Sequence, residues 1–322
     1  MKNISENKKN IIRGVIDIGT NSCRLFLAEV EKNENEAIIK KKLYKETQIT
    51  KLGKFINPDS TIQEEGMNIV TNVIKKYAEK AREYNADEII GFATSATREA
   101  ANKDIFLKKI YDETKVNIKC ISGEEEAHLT FSGAVTEFKN PVVLFDIGGG
   151  STEIIFGDKN EIKFIKSFKA GAVRETETFF KNDSYENINK CIESLKERLS
   201  EIEPLKRYSF DLVGVAGTAT TNVSVKEKML KYDSEKVHGY VLTKEDVEKN
   251  LKKYLSVNLE ERKKITGLQP QRADSVISGT IIILVIMELL NKDTFIVSEC
   301  DNLEGAMSKT NLWILITLIL NN

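Results

Sequence analysis

Two glycine turns with the same local pattern constrain the fold of this chain more than any other sequence feature. The first turn covers Gly19–Ser22 and follows an apolar run that contains Asp17; the second covers Gly148–Ser151 and follows a similar run that contains Asp146. Glycine lets backbone N–H groups approach an anion, and the hydroxyl residues of each turn add donors. Two turns with matching flanks therefore predict an internal duplication in which each half presents one phosphate-binding turn.

The predicted secondary structure repeats in the same order after each turn. Apolar alternation and helical spacing indicate three strands, a helix, a strand, a second helix and a further strand, and this order occurs twice. It matches the duplicated ribonuclease-H-like architecture of actin and the sugar kinases. We therefore expect an α/β fold with two such domains, at 1–124 and 125–299, and a ligand cleft between them. A C-terminal helix at about 300–322 is assigned to the first domain.

Composition excludes several classes of protein. The formal net charge is −1, so no overall field favours nucleic acid or an anionic membrane. The four cysteines are scattered and form no CxxC pair, which argues against a zinc site and for reduced thiols in the cytoplasm. The apolar runs Ile281–Leu290 and Leu312–Leu320 are shorter than the roughly 20 residues that span a bilayer, so we expect both to pack on protein.

Several polar residues near the turns have two possible roles each. Asp146 and Glu153 flank the second turn and could hold Mg²⁺, but Asp146 could also shape the turn and Glu153 could face solvent. Asp17, at the first turn, could likewise contact the metal or hold the turn in shape. Glu125 stands three residues after Ser122, and this spacing alone favours a capping box at a helix start over a general base.

Arginines and a third small-residue turn extend this set. Arg24 and Arg98 could clamp phosphate through their guanidinium forks or form surface salt bridges, and Arg174 is evenly balanced between these readings. Gly217 and Thr218 begin a predicted helix, where an anion could bind or where the turn could serve packing only.

Six segments together resemble the exopolyphosphatase/guanosine pentaphosphate phosphohydrolase (Ppx/GppA) family. They lie at 19–25, 93–98, 121–127, 146–153, 171–174 and 214–221. The resemblance implies hydrolysis of a terminal phosphoanhydride with Mg²⁺ or Mn²⁺, and it reverses the reading of Glu125, which becomes the general base. Asp146 and Glu153 become the metal ligands, and Arg24 and Arg98 assist catalysis. The phosphate-binding residues that the resemblance implies are Gly19, Thr20, Asn21, Ser22, Gly148, Gly149, Gly150, Ser151, Gly217 and Thr218.

Inorganic polyphosphate is the expected substrate, and guanosine pentaphosphate is the alternative. No aromatic residue near Gly217–Thr221 in the sequence would stack a guanine, which favours polyphosphate. A kinase of the same architecture and a non-catalytic polyphosphate or nucleotide sensor stay open, as does a homodimer. The chain departs from the family pattern at His128, at Ser298–Asp301 and in the tail after Met307.

Overall fold

The structure is a computed structural model that describes residues 9–32, 37–135, 138–181, 184–308 and 316–318. The chain separates into two compact units. Unit 1 is Met1–Glu125 together with Asn302–Asn322, and unit 2 is Glu126–Asp301.

Unit 1 begins with an antiparallel three-stranded meander. Its elements up to the boundary are β1 (Lys9–Ile18), β2 (Ser22–Lys32), β3 (Ala37–Ile49), α1 (Glu64–Glu83), β4 (Glu88–Ala93), α2 (Ser95–Glu99), α3 (Lys103–Thr114) and β5 (Lys119–Cys120). β1 pairs antiparallel with β2 and parallel with β4, and β5 adds to β4 in parallel. The order across the sheet is therefore β3-β2-β1-β4-β5. Met67, Val70 and Ile74 of α1 recur at helical spacing and are buried in the core of this unit.

Unit 2 repeats this arrangement with additional helices. Its elements are α4 (Gly123–Ala134), which begins at the end of unit 1, followed by β6 (Val142–Ile147), β7 (Thr152–Gly157), β8 (Ile162–Phe168), α5 (Ala172–Phe179), α6 (Ile188–Leu199), β9 (Asp211–Val215), α7 (Ala216–Lys226), α8 (Ser234–Val237), β10 (Tyr240–Thr243), α9 (Lys244–Leu255), α10 (Leu259–Arg262), α11 (Val276–Leu289) and β11 (Thr294–Val297). The order across the sheet is β8-β7-β6-β9-β11-β10, and β9 is parallel to both β6 and β11.

Both faces of the unit 2 sheet are covered. Phe131 of α4 packs with Leu144 on one face, whereas Phe145 faces the larger core on the other. α11 is apolar around its circumference, and it is buried along almost its whole length in that larger core. A helix that is apolar all round needs such complete burial, which confirms that Ile281–Leu290 is part of a core helix.

The chain then returns to unit 1 with α12 (Asn302–Met307) and β12 (Ile316–Leu318). β12 pairs antiparallel with β4. The expectation of a helix through the C-terminal apolar run is therefore wrong at Ile316–Leu318, because an extended segment can pair with β4 there. The rest of Leu312–Leu320 lies outside the described residues. No helix in the described ranges is both long and apolar enough to cross a membrane.

The comparison of the two sheets confirms the predicted duplication. Three antiparallel strands followed by two parallel strands occur in both units, in the same spatial order. The edge strand β10 was not predicted, since four residues between two helices give too short an alternation to detect.

Candidate active site

The first glycine turn is held in shape by a segment that follows β3. The Gly19 N–H donates to the Ser22 carbonyl oxygen at 2.9 Å and closes the turn. The carbonyl oxygens of Thr20 and Asn21 accept hydrogen bonds of 2.9–3.0 Å from backbone N–H groups within residues 50–53. With these carbonyl oxygens committed to protein donors, the turn has its N–H groups and hydroxyls to offer to an anion.

Arg24 and Asp17 face each other across the hairpin that this turn closes. They are register partners on β2 and β1, and the Arg24 Nε and Nη2 atoms donate to Asp17 Oδ2 at 2.9 and 2.6 Å. Arg24 Nη2 also donates to Asn302 Oδ1 at 2.6 Å. The guanidinium is mostly buried, and Asp17 and Asn302 both help to hold it in position.

Arg98 and Glu125 both contact the short segment between β5 and α4. Arg98 Nη1 donates to the Ile121 carbonyl oxygen at 3.1 Å. Glu125 Oε2 accepts from the Ser122 N–H at 2.7 Å, and the Glu125 N–H donates to Ser122 Oγ at 3.0 Å. The capping box expected from the spacing is thus present, and its acid is the residue that the resemblance makes the general base.

A lysine also holds the Glu125 carboxylate. Lys119 Nζ lies 3.1 Å from Glu125 Oε1. Partial burial raises the pKa of Glu125, but the hydrogen bonds from Ser122 and Lys119 outweigh burial, so the pKa lies below its ordinary value. Glu124 is exposed and Glu126 is buried, so the three adjacent acids occupy different environments.

The second glycine turn is anchored by the start of α5. The Gly148 N–H donates to the Ser151 carbonyl oxygen at 2.9 Å, as in the first turn. The carbonyl oxygens of Gly148 and Gly149 accept from the first N–H groups of α5 at 2.9–3.0 Å, and Arg174 Nε donates to the Gly150 carbonyl oxygen at 2.7 Å. Arg174 therefore bonds the backbone of the turn, a contact that neither interpretation from the sequence describes, and its role in phosphate binding stays a prediction.

Asp146 and Glu153 face each other across the second hairpin. They are register partners on β6 and β7, so their side chains lie on the same face, with Cβ atoms about 4.5–5.5 Å apart. Both are buried, at 5% and 1% exposure, and Ser167 Oγ donates to Glu153 Oε1 at 2.6 Å. The reading of Glu153 as a solvent-facing residue is wrong.

Two buried carboxylates on one face fit a hard divalent cation. Mg²⁺ takes one or two carboxylates and completes its shell with water and phosphate oxygens. Within the described ranges, no group of three or more His, Cys, Asp or Glu side chains is placed to hold a metal. The donor set at Asp146 and Glu153 therefore suits a cation shared with a phosphorylated substrate better than an all-protein metal cage.

The first turn of α7 adjoins the second glycine turn. Thr218 Oγ1 donates to the Ile147 carbonyl oxygen at 3.0 Å. A Cβ on Gly217 would lie 2.3 Å from Arg272 Nη1, so only glycine lets this guanidinium approach so closely. Arg272 has no role in the sequence-based site, although a guanidinium beside a helix start is a signal for anion binding.

Tyr232 overturns one argument about the substrate. Its hydroxyl hydrogen-bonds to Glu299, and its side chain lies close to that of Thr220 in α7. The ring is 43% exposed and lines a cavity of about 830 Å³ with Met229 and Tyr240. An aromatic residue therefore does lie beside Gly217–Thr221, supplied from a loop that the local sequence does not reveal.

Comparisons with known proteins identify the family of the chain. The family model for the Ppx/GppA phosphatase family matches residues 30–311. The chain belongs to the Ppx/GppA phosphatase family.

Relatives in sequence and structure differ in length and in name. The chain is 46% identical over 319 residues to a bifunctional 3-dehydroquinate synthase/phosphatase of Fusobacterium nucleatum, covering 95% of this chain but only 48% of that protein. It is 30% identical to exopolyphosphatase 2 of Mycobacterium tuberculosis over 90% of this chain and 95% of that protein. The crystal structure of an exopolyphosphatase from Cytophaga hutchinsonii matches with a TM-score of 0.82 at 27% identity, covering 91% and 96% of the two chains.

The family assignment confirms the resemblance found in the sequence, and the structure groups the predicted site residues within each unit. In unit 1, Arg24 lies across the hairpin that the first turn closes, and Arg98 and Glu125 meet at Ile121–Ser122. In unit 2, the two carboxylates, the second turn and Thr218 lie together around the end of β6. The roles of these Ppx/GppA residues in catalysis stay predictions.

Proposed function

We propose that the chain is an exopolyphosphatase that hydrolyses the terminal phosphoanhydride of inorganic polyphosphate with Mg²⁺ or Mn²⁺ and releases orthophosphate. The observation that carries this proposal is the buried Asp146–Glu153 pair beside a glycine turn whose carbonyl oxygens are already bonded. Such a turn offers donors to phosphate, and the carboxylates offer oxygen ligands to its cation. Membership of a phosphatase family supports the same chemistry.

Glu125 is the general base in this proposal. Its carboxylate has to be ionised to accept a proton from the attacking water, and the bonds from Ser122 and Lys119 favour that form. Arg24, Arg98 and the N–H groups of the turns bind phosphate oxygens, which offsets charge as it develops. A divalent cation at Asp146 and Glu153 supplies further charge neutralisation. The meeting of the two half-sites on one substrate is a prediction from the sequence.

Three variants distinguish a general-base role of Glu125 from a role in helix capping alone. Glu125→Gln removes the base, and loss of a general base typically lowers turnover by about 10²–10⁴-fold. Ser122→Ala removes the capping hydroxyl but keeps Glu125, and Glu124→Gln changes the exposed neighbour. We expect phosphate release from polyphosphate to collapse in the first variant only, with all three folded by circular dichroism. More than about a tenth of wild-type activity in folded E125Q would leave Glu125 as a cap alone.

Guanosine pentaphosphate is the second candidate substrate, and Tyr232 is the observation that favours it. A partly exposed tyrosine beside the first turn of α7 can stack a base, and stacking contributes about 1–3 kcal/mol per base. Polyphosphate has no ring and gains nothing from this contact.

Kinetics with both substrates decide between these candidates. If the nucleotide is used, Tyr232→Ala lowers kcat/KM for it by about tenfold and leaves polyphosphate turnover unchanged. Tyr208 is a matched control, since it is 42% exposed and stacks on Phe156 instead. Equal losses on both substrates would remove the base-binding role of Tyr232. Including ATP with and without acceptors tests the kinase reading, and tight binding without turnover would indicate a sensor.

The proposal includes a location in the cytoplasm and a polyphosphate or nucleotide substrate without nucleic acid or membrane partners. The four cysteines are free thiols, which suits a reducing cytoplasm. We expect no nucleic acid or membrane partner, because the net charge of −1 gives no general attraction to polyanionic surfaces.

A further inference from the structure

Asn302 contacts Arg24, the arginine of unit 1 that is expected to bind phosphate. Its Oδ1 accepts from Arg24 Nη2 at 2.6 Å, although 278 residues separate the two in the sequence. Arginine has donors only, so the amide must present its oxygen to the guanidinium. Asn302 is only 2% exposed, which means that the bond is made away from bulk water.

The position of this amide oxygen is itself fixed. Asn302 is the first residue of α12, and several contacts of α12 hold it to the sheet of unit 1. Arg13 Nη1 donates to the Met307 carbonyl oxygen at 2.6 Å, and Lys45 Nζ donates to Glu304 Oε1 at 3.0 Å. The Arg24 guanidinium is therefore held between β1 and a helix that is separately anchored.

The chemistry of the two partners is different. Asp17 carries a charge that balances Arg24, whereas the Asn302 amide accepts a hydrogen bond without adding charge. A carboxylate in this place would add a negative charge beside the guanidinium, which repels a phosphate chain. A neutral acceptor restrains the guanidinium without adding a charge that would weaken its attraction for phosphate further.

We propose that Asn302 is a positioning residue that orients Arg24 toward the substrate phosphates and must be neutral to do so. The proposal rests on the proposed role of Arg24 in phosphate binding. It gives a function to the residue that follows Ser298–Asp301, the segment in which the chain departs from the family pattern. Fixed orientation of a charged donor matters because groups that need no rearrangement stabilise the transition state most.

A double-mutant cycle on kcat/KM for polyphosphate tests whether Asn302 acts through Arg24. We expect Asn302→Ala to lower kcat/KM about tenfold when Arg24 is present and to have no further effect when combined with Arg24→Met. An undiminished effect of N302A in the R24M background would overturn the proposal. Wild-type kcat/KM in R24M would instead refute the role of Arg24 in the proposed function, so the two failures are distinguishable.

Asn302→Asp tests the requirement for neutrality. It keeps the size and the acceptor but adds a titratable charge, so we expect KM to rise with pH through the range in which the new carboxylate ionises, a pattern that N302A lacks. Asn250→Ala is the matched control, because Asn250 is a similarly buried asparagine whose amide bonds Asn222 in unit 2. N250A should lower the melting temperature without changing the pH profile. A pH-independent KM in N302D would show that the charge of residue 302 is irrelevant.

Discussion

The two hairpins are alike in backbone and opposite in charge. Each is closed by a glycine turn with an N–H donating to a carbonyl three residues later, and each places an aspartate opposite one partner across the strands. In unit 1 the partner of Asp17 is Arg24, and in unit 2 the partner of Asp146 is Glu153. The first pair joins an acid to a base, whereas the second brings two acids together. The same hairpin therefore presents an ion pair in unit 1 and two facing carboxylates in unit 2.

Replacing the Asp146–Glu153 pair with an aspartate–arginine pair like that of unit 1 should have the largest effect on turnover. Glu153→Arg places a guanidinium opposite Asp146, so the divalent metal of the proposed function no longer has two carboxylates to bind. Because a catalytic metal stabilises the transition state by several kcal/mol, we expect phosphate release to fall by about 10³-fold at saturating Mg²⁺. The melting temperature in chelator should rise or stay constant. More than a tenth of wild-type turnover in folded E153R would show that the Asp146–Glu153 pair is not needed to bind a catalytic cation.

Neutralising single carboxylates should have a smaller, metal-dependent effect. Asp146→Asn and Glu153→Gln each remove one charge from the pair, and ligand charge sets the affinity for hard cations. We expect the Mg²⁺ concentration for half-maximal activity to rise by about 10- to 100-fold, with turnover partly recovered at high Mg²⁺. Glu161→Gln, an exposed residue just before β8, is the control. A drop in turnover with unchanged metal dependence would make the pair structural.

The pairing in both hairpins could have been read from the sequence. Asp17 and Arg24 are equidistant from the turn at Gly19–Ser22, and Asp146 and Glu153 are equidistant from the turn at Gly148–Ser151, so a tight hairpin must place them opposite each other. Local patterns of this kind also gave α1 and the order of the strands, because turn glycines and helical spacing act over a few residues.

Contacts between distant segments could not be read in this way. The bond between Asn302 and Arg24 and the approach of Tyr232 to Thr220 depend on how whole elements pack, and no local periodicity encodes them. The C-terminal run shows the same limit, because its apolar composition suits a helix or a strand. Residues Ile316–Leu318 form a strand because they pair with β4.

Removing the cation of the first pair should affect stability. Arg24→Met leaves the mostly buried Asp17 without the guanidinium that balances it, and breaking a buried pair from one side is destabilising. Since Arg24 retains some exposure, we expect the free energy of unfolding to fall by about 2–3 kcal/mol in urea titrations. Adding Asp17→Asn should recover part of this loss, because the uncompensated charge is then gone. Strictly additive losses in the double variant would show that the two side chains are not energetically coupled.

The smallest effect should appear when one of the partners of the Glu125 carboxylate is removed. Burial raises its pKa, and the bonds from Ser122 and Lys119 lower it further than burial raises it, so the net pKa lies below the ordinary value of 4.5. A lowered pKa means that this carboxylate stabilises the fold above its unfolded pKa and loses that contribution as pH falls through the folded pKa.

Lys119→Met should therefore shift the acid limb of the kcat/KM profile. Without the ammonium group the pKa of Glu125 moves back toward its ordinary value. We expect the limb to move only slightly to higher pH, because Lys119 is 28% exposed and screened by water. Lys109→Met is the matched control, since Lys109 is 29% exposed and pairs with Glu113 at 3.2 Å. If both variants leave the limb in place while E125Q abolishes turnover, Ser122 and the helix start alone keep the base ionised. If the limb moves in K119M only, the charge of Glu125 is balanced by Lys119 as that of Asp17 is by Arg24, in contrast to the two facing acids Asp146 and Glu153.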